Sequence, residues 1–249
     1  MKKIFYLVAL MTISLLFVQC EQQPCTCTPC PCVDNTCTCG GNNDGSGDSN
    51  TGNTDPKEEG MGIEAGHAYV DLGLPSGLKW ATCNVGATVS TDFGDYFAWG
   101  EVEPKKDYSW DIYKYGTEDN LTKYYSSDNK TVLDPEDDAA TVNWGGAWRM
   151  PTKAEQDELL EKCKWTWTIQ NCVNGYNVTG PNGNSIFLPA AGYMYEGTLK
   201  GAGSYGAYWS GSLYAGNPDN AYYVYFTSYE VGWSDYGRTN GLFVRPVCQ

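Results

Sequence analysis

The stretch Trp148-Arg149-Met150-Pro151-Thr152-Lys153-Ala154-Glu155 sets the frame for the rest of the chain. The Thr152 hydroxyl can accept from the amide three residues on, and the Glu155 carboxylate can reach back to the Thr152 amide, which makes a capping box. The helix that starts there runs on through Leu159, Leu160 and Cys163. A shorter helix is predicted just upstream, at Asp134-Pro135-Glu136-Asp137-Asp138-Ala139-Ala140, with proline at the first helical position and acids in the first turn. The acids Asp134, Glu136, Asp137 and Asp138 are read as a solvated helix start rather than a metal site.

Outward from these two helices the chain reads as short strands. Val70–Leu74 and Leu78–Cys83 flank Pro75-Ser76-Gly77, a hairpin signal. Residues 92–131 are aromatic and polar without a sustained period and predict a long ordered loop region with short strands. Downstream, Trp165–Ile169, Tyr176–Val178, Ser185–Leu188, Tyr222–Phe226, Val231–Trp233 and Leu242–Val247 are short and separated by Gly, Asn and Pro. The expected class is α+β: two short helices and a mainly antiparallel twisted sheet with long loops.

Charge and composition narrow the function. The chain has 249 residues and a formal charge of −14, from 16 Lys+Arg against 30 Asp+Glu, so a phosphate backbone is repelled and nucleic acid is not an expected partner. His67 is the single histidine, expected in an exposed loop, so multi-imidazole zinc sites and histidine triads have little to build on. Residues 1–20 place Lys2 and Lys3 before an apolar run from Ile4 to Val18 that is too short to span a bilayer. The run stops at Cys20 and resembles a bacterial lipoprotein signal, with Cys20 lipidated. Three C-x-C pairs between Cys25 and Cys39 can form an oxidised knot or hold a soft metal. Gly40–Gly60 is almost free of apolar residues and reads as the end of a flexible tether over 21–60. The folded domain is assigned to 61–249. Its expected place is the cell envelope, as a surface-exposed outer-membrane lipoprotein attached through lipid.

Several motifs together carry a family resemblance. Leu78–Ala87, Phe97-Ala98-Trp99-Gly100-Glu101, Asn143–Thr152, Ile186–Gly192, Tyr208-Trp209-Ser210 and Val244-Arg245-Pro246-Val247 resemble the major paralogous domain first described in Fibrobacter succinogenes. The Trp148–Glu155 element also resembles the formylglycine-generating sulfatase-modifying fold. The resemblance implies a C-type-lectin-like domain. In that fold the first and last strands lie side by side, so Cys83 and Cys248 become candidates for one disulfide. Cys163, at the end of the capped helix, and Cys172, after a strand, become candidates for another.

The segment 205–240 interleaves Tyr and Trp with Ser, Gly, Asn and Asp, a composition found in antibody paratopes, where tyrosine gives large contact area at small entropic cost. In Ala221–Phe226, alternation puts Tyr223 and Tyr225 on one face and Tyr222, Val224 and Phe226 on the other. Tyr208, Trp209, Phe226 and Arg245 belong to the family motifs and are read as structural. The candidate binding face is Tyr214, Asp219, Asn220, Tyr223, Tyr229, Glu230, Asp235, Tyr236, Arg238, Thr239 and Asn240. In some proteins of lectin-like folds this region is diversified by a retroelement, and the composition here is similar. Asn217-Pro218-Asp219-Asn220 resembles a lectin calcium loop but is read as a turn, and no cofactor is expected. The expected function is therefore non-covalent binding of a protein or glycan ligand on another surface. An envelope assembly subunit, and more remotely an oxidase of the formylglycine-generating type, are the alternatives.

Overall fold

The computed structural model describes residues 60–249; the expectations for the leader, Cys20, the C-x-C pairs and most of the tether lie outside the described residues. In chain order the first strands are β1 (Met61–Glu64), β2 (His67–Asp71), β3 (Lys79–Ala81), β4 (Gly116–Thr117) and β5 (Asn120–Leu121). The helices α1 (Ala139–Trp144) and α2 (Lys153–Lys162) follow. Then come β6 (Lys164–Gln170), β7 (Val173–Thr179), β8 (Ser185–Pro189), β9 (Tyr193–Tyr195), β10 (Thr198–Lys200), β11 (Gly206–Leu213), β12 (Asn220–Phe226), β13 (Val231–Gly237) and β14 (Val247–Cys248).

Every pairing between these strands is antiparallel. A four-stranded sheet has the order β1-β2-β3-β14, so the last strand lies against one of the first. The predicted hairpin is its centre, with Asp71 opposite Lys79 and Val70 opposite Trp80. Two three-stranded sheets, β6-β7-β8 and β11-β12-β13, and two small hairpins, β4-β5 and β9-β10, complete the set. The α+β class is thus observed, with short strands dominating.

Helix α2 forms as its capping box dictates. The Thr152 hydroxyl accepts from the Glu155 amide while Glu155 accepts from the Thr152 amide at 2.8 Å. Arg149 donates a two-pronged bond to the same carboxylate, which holds it well below the usual carboxylate range despite its burial. Buried Gln156 donates to the carbonyls of Tyr208 and Trp209, so α2 is fastened to β11. The upstream helix differs from expectation. Pro135–Asp137 make one tight turn, Asp138 then caps α1 by accepting from Ala140 and Thr141, and the helix runs on to Trp144. Asp137 and Asp138 are buried, because Asp137 binds Lys114, Lys123 and the Tyr124 hydroxyl and Asp138 also accepts from Met150 N. Asp137 and Asp138 are therefore packed and paired rather than solvated, while Asp134 is part-buried and Glu136 stays exposed as expected.

Three other expectations are corrected. Leu242–Val247 is not one strand: Leu242 bridges Phe97, Phe243 bridges Tyr208 and Val247 bridges Arg149, so this wholly buried stretch threads between sheets and serves each in turn. His67 opens β2 and stacks on Trp144 at 3.8 Å instead of sitting in a loop. Among the described residues there is no disulfide. Cys248 is in register with Lys79, which puts Cys83 four residues further along, roughly 13 Å away in extended chain and beyond disulfide reach. Cys163 caps α2, and all of β6 separates it from Cys172 in the β6–β7 turn, roughly 23 Å in extended chain.

The core is aromatic. One cluster centres on Trp99, Tyr113, Tyr124 and Trp209, a second on Trp80, Tyr208, Phe226 and Phe243. Trp209 and Tyr208 are neighbours on β11, so alternation sends one ring to each cluster and the β11–β13 sheet lies between two cores.

Candidate functional site

At the edge of the first cluster, four segments bring tyrosines around a pocket of about 400 Å³. Its lining is Tyr193, Lys200, Gly201, Ser204, Tyr205, Ala207, Tyr223 and Tyr236. On the sheet, Tyr223 and Tyr236 share a face because Ala221 is opposite Tyr236 and Tyr223 is opposite Trp209. Between Trp209 and Leu213 the register slips, three β11 residues facing Tyr222 alone. Ser210 fills that bulge by donating to the Tyr222 carbonyl and accepting from Ser212 N. Bulges of this kind re-aim side chains next to functional sites.

The opposite wall is the β9-β10 hairpin and the turn after it. Glu196 and Gly197 both have positive φ, 46° and 70°, so the two-residue connection is of the mirror-image type that matches strand twist. Lys200 pairs with Tyr193, which sets both at the pocket end of the hairpin. Reciprocal amide bonds between Met194 and Gly241 hold the hairpin to the core. The chain then turns on one carbonyl: Gly201 O accepts from Ser204 N, Tyr205 N and the Ser204 hydroxyl. Gly201 needs to be glycine, since φ is +67° and an added methyl would lie 2.8 Å from Tyr205 Cβ.

The rings stand at steep angles to one another. Tyr193 meets Tyr205 and Tyr236 edge to face, each at 5.6 Å between centroids. Tyr205 stacks over Tyr225 at 6.1 Å, and its hydroxyl is hydrogen-bonded to that of Tyr223 at 3.1 Å. Burial, reinforced by the neighbouring Tyr223 and Tyr193 hydroxyls respectively, pushes the Tyr205 and Tyr236 phenols well above the ordinary range. They are neutral hydrogen-bonding groups at any physiological pH.

The structure divides the eleven expected binding residues instead of presenting them on one face. Tyr223, only 8% exposed, and Tyr236 line the pocket. Asn220 and Asp235 lie on the other face of the sheet, where the Asn220 amide donates to the Asp235 carboxylate at 2.7 Å. Tyr222 and Trp233 share that face, and Lys153 of α2 sits 4.0 Å above the Trp233 ring. Tyr214 packs its ring on Tyr222 at 5.1 Å. Tyr229, 82% exposed, and Glu230 form the β12–β13 turn. Asp219 stands in the loop before β12, where its carbonyl accepts from Arg238 N and burial raises its carboxyl. In the same loop Asp219 N donates to the Asn217 side chain, so the sequence that resembles a calcium loop is a self-bonded turn.

Arg238, Thr239 and Asn240 are buried and are not available to a ligand in this arrangement. Arg238 donates to the Tyr113 hydroxyl and to the carbonyls of Tyr124, Pro218 and Lys123. The rings of Tyr113 and Trp99 flank its guanidinium at 5.1 and 5.2 Å. Asn240 donates to the Gly237 carbonyl and closes the turn after β13.

Tyr193, Lys200, Gly201, Ser204, Tyr205 and Ala207 line the pocket but were not in the candidate face, although Tyr205 opens the aromatic segment it was drawn from. The signal was present: Tyr193-x-Tyr195 and Thr198-x-Lys200 alternate about Glu196-Gly197, a hairpin pattern centred on a turn dipeptide. Near Asp134, Glu136 and Asp137 the carboxylate oxygens come within 4.8 Å of one another, but Lys123 lies among all three and Lys114 and Lys130 bind there as well. Lysine ammoniums fill the place that a cation would take. No helix among the described residues is long and apolar enough to cross a membrane. Compared with family models, curated proteins and solved structures, the chain matches none of them.

Proposed function

We propose that this chain is a surface-tethered lipoprotein whose single C-type-lectin-like domain binds a ligand on another surface, non-covalently, through the tyrosine pocket. The observation that carries the reading is the convergence of Tyr193, Tyr205, Tyr223 and Tyr236, from separate segments, on one opening. Their rings offer large, stiff contact area, and their hydroxyls add directional bonds. The pocket's size is in the usual range for small-molecule sites, and its lining has no carboxylate, imidazole or thiol, which suits recognition more than turnover. The lectin-like assignment is supported by β14 lying against β3 and by the bonded Thr152–Glu155 cap, the places where the family motifs fall. The expectation of a broad C-terminal face is narrowed to the part of it that borders this opening.

The test is binding of the purified chain to a broad glycan and cell-surface protein array, beside Tyr193→Ala. Tyr193 is part-exposed on a hairpin, so its truncation leaves the core rings in place. Loss of array binding with an unchanged melting temperature supports the pocket. Array binding that is indifferent to Tyr193→Ala refutes it.

A further inference from the structure

The charge of the lining runs against that of the chain. Acids outnumber bases 30 to 16 overall, yet the pocket contains Lys200 and no acid. Among the described residues Lys200 makes no ion pair, whereas Lys105, Lys114, Lys123, Lys130 and Lys153 are each tied to a carboxylate. Its ammonium is available, on a compact flexible stem at the pocket rim. A cationic occupant would meet a like charge there, and an anionic one would gain a charge-assisted bond.

The remaining polar groups fix what else the occupant carries. The Tyr205 and Tyr223 hydroxyls bond to each other, and Ser234 also bonds the Tyr223 hydroxyl. The Ser204 proton goes to the Gly201 carbonyl, so the Ser204 oxygen is left as an acceptor. The occupant therefore presents a hydroxyl donor as well as an anion. The tyrosine faces ask for an apolar ring face, and burial keeps the Tyr205 and Tyr236 phenols neutral beside it.

Resting on the reading that this pocket is the binding site, we propose that it takes a carboxylated pyranose, with the carboxylate on Lys200 and the C–H face of the ring on the tyrosines. A uronic acid and a sialic-type acid share that chemistry, and the experiment separates them. Saturation-transfer and titration NMR on the full chain would compare glucuronic acid, N-acetylneuraminic acid, glucose and glucosamine, each with the unaltered chain, Lys200→Gln and Tyr193→Ala. Lys200 is exposed, so Lys200→Gln does not burden the fold.

The expected result is that at least one acidic sugar binds about tenfold or more tightly than glucose, the ratio that one charge-assisted bond gives. Lys200→Gln would erase that ratio, added salt would shrink it, and Tyr193→Ala would weaken every sugar. Equal binding of glucose and the acidic sugars, lost in Tyr193→Ala, overturns the acidic assignment and leaves the pocket reading intact. Preferred binding of glucosamine overturns it as well. Binding of an acidic sugar that ignores both substitutions places the sugar elsewhere and removes both the assignment and the pocket.

Discussion

Replacing Arg238 with methionine should unfold part of the protein's margin without touching the pocket. The side chain is 0% exposed and makes four hydrogen bonds, at 2.8 to 3.1 Å, to Tyr113 Oη and the carbonyls of Tyr124, Pro218 and Lys123. Methionine fills comparable volume and satisfies none of them. Each abandoned buried acceptor costs about 1–3 kcal/mol, but part of that is relieved when water or a small shift reaches the carbonyls. Four such acceptors, partly relieved in this way, put the loss at about 4 kcal/mol. For a domain of this size that lowers the melting temperature by about 8–16 °C, and it is survivable against a total stability of about 5–15 kcal/mol. The assay is thermal and urea unfolding followed by tryptophan emission, with Trp99 beside the guanidinium as a natural reporter. Arg238→Lys should fall in between, because an ammonium keeps the charge but lacks the planar fork. An unchanged melting temperature with ligand binding lost would refute this account and return Arg238 to the binding face.

Other outcomes follow from the same geometry. Gly201→Ala should cost about 1–3 kcal/mol through its positive φ and also weaken ligand binding by displacing Tyr205; Gly183→Ala, at φ +92° with open space around it, should show the backbone cost alone, and equal binding in the two variants would contradict the crowding argument. Asp134, Asp137 and Glu155 are held below their ordinary range by lysine and arginine partners, so their contribution is complete above about pH 5 and is lost as pH falls through the lowered values; urea midpoints between neutral and acidic pH should drop, and Glu155→Gln should flatten the slope. Burial pushes Tyr96, Tyr108 and Tyr208 up to about 12, so their contribution holds below about pH 10 and disappears as pH rises towards 12. Phenolate absorbance should then appear in step with alkaline unfolding, and full titration of a still-folded chain would contradict it. Peptide mapping without reduction should find neither a Cys83–Cys248 nor a Cys163–Cys172 crosslink.

How much of this was legible depended on the range of the interactions. The capping box at Thr152 and Glu155 and the turn at Pro75–Gly77 involve residues close in sequence, and both fell where local chemistry put them. Strand alternation correctly split Tyr223 from Tyr222. It could not say which face was covered, because here both are: Tyr223 borders one aromatic cluster while Phe226, on the other face, belongs to the second. Arg238 stood as a candidate ligand contact because it falls outside the family motifs, with an internal charge pair as the alternative. Its partners are 20 to 125 residues away in sequence, and only the fold brings four acceptors around it. The pocket was half visible for the same reason. Tyr223 and Tyr236 stood out in an aromatic run, whereas Lys200 and Ser204 gain meaning only when a separate hairpin is laid across the sheet.

The order of the four-stranded sheet also decides where the molecule would yield to tension. Strand β1 is an edge with β2 as its only ladder partner, while β12, which carries Tyr223, is gripped on both sides. Were the chain held ahead of Met61 and loaded through the pocket, β1 would be the first described strand to bear the pull. Its four register pairs, helped by the Trp148 indole on the Glu64 carbonyl, are the links that would open earliest. Peeling them away leaves β2 still joined to β3, and β3 to β14. With β1 parted, the strands that remain are still paired, and the β11–β13 sheet that carries Tyr223 shares no ladder with β1.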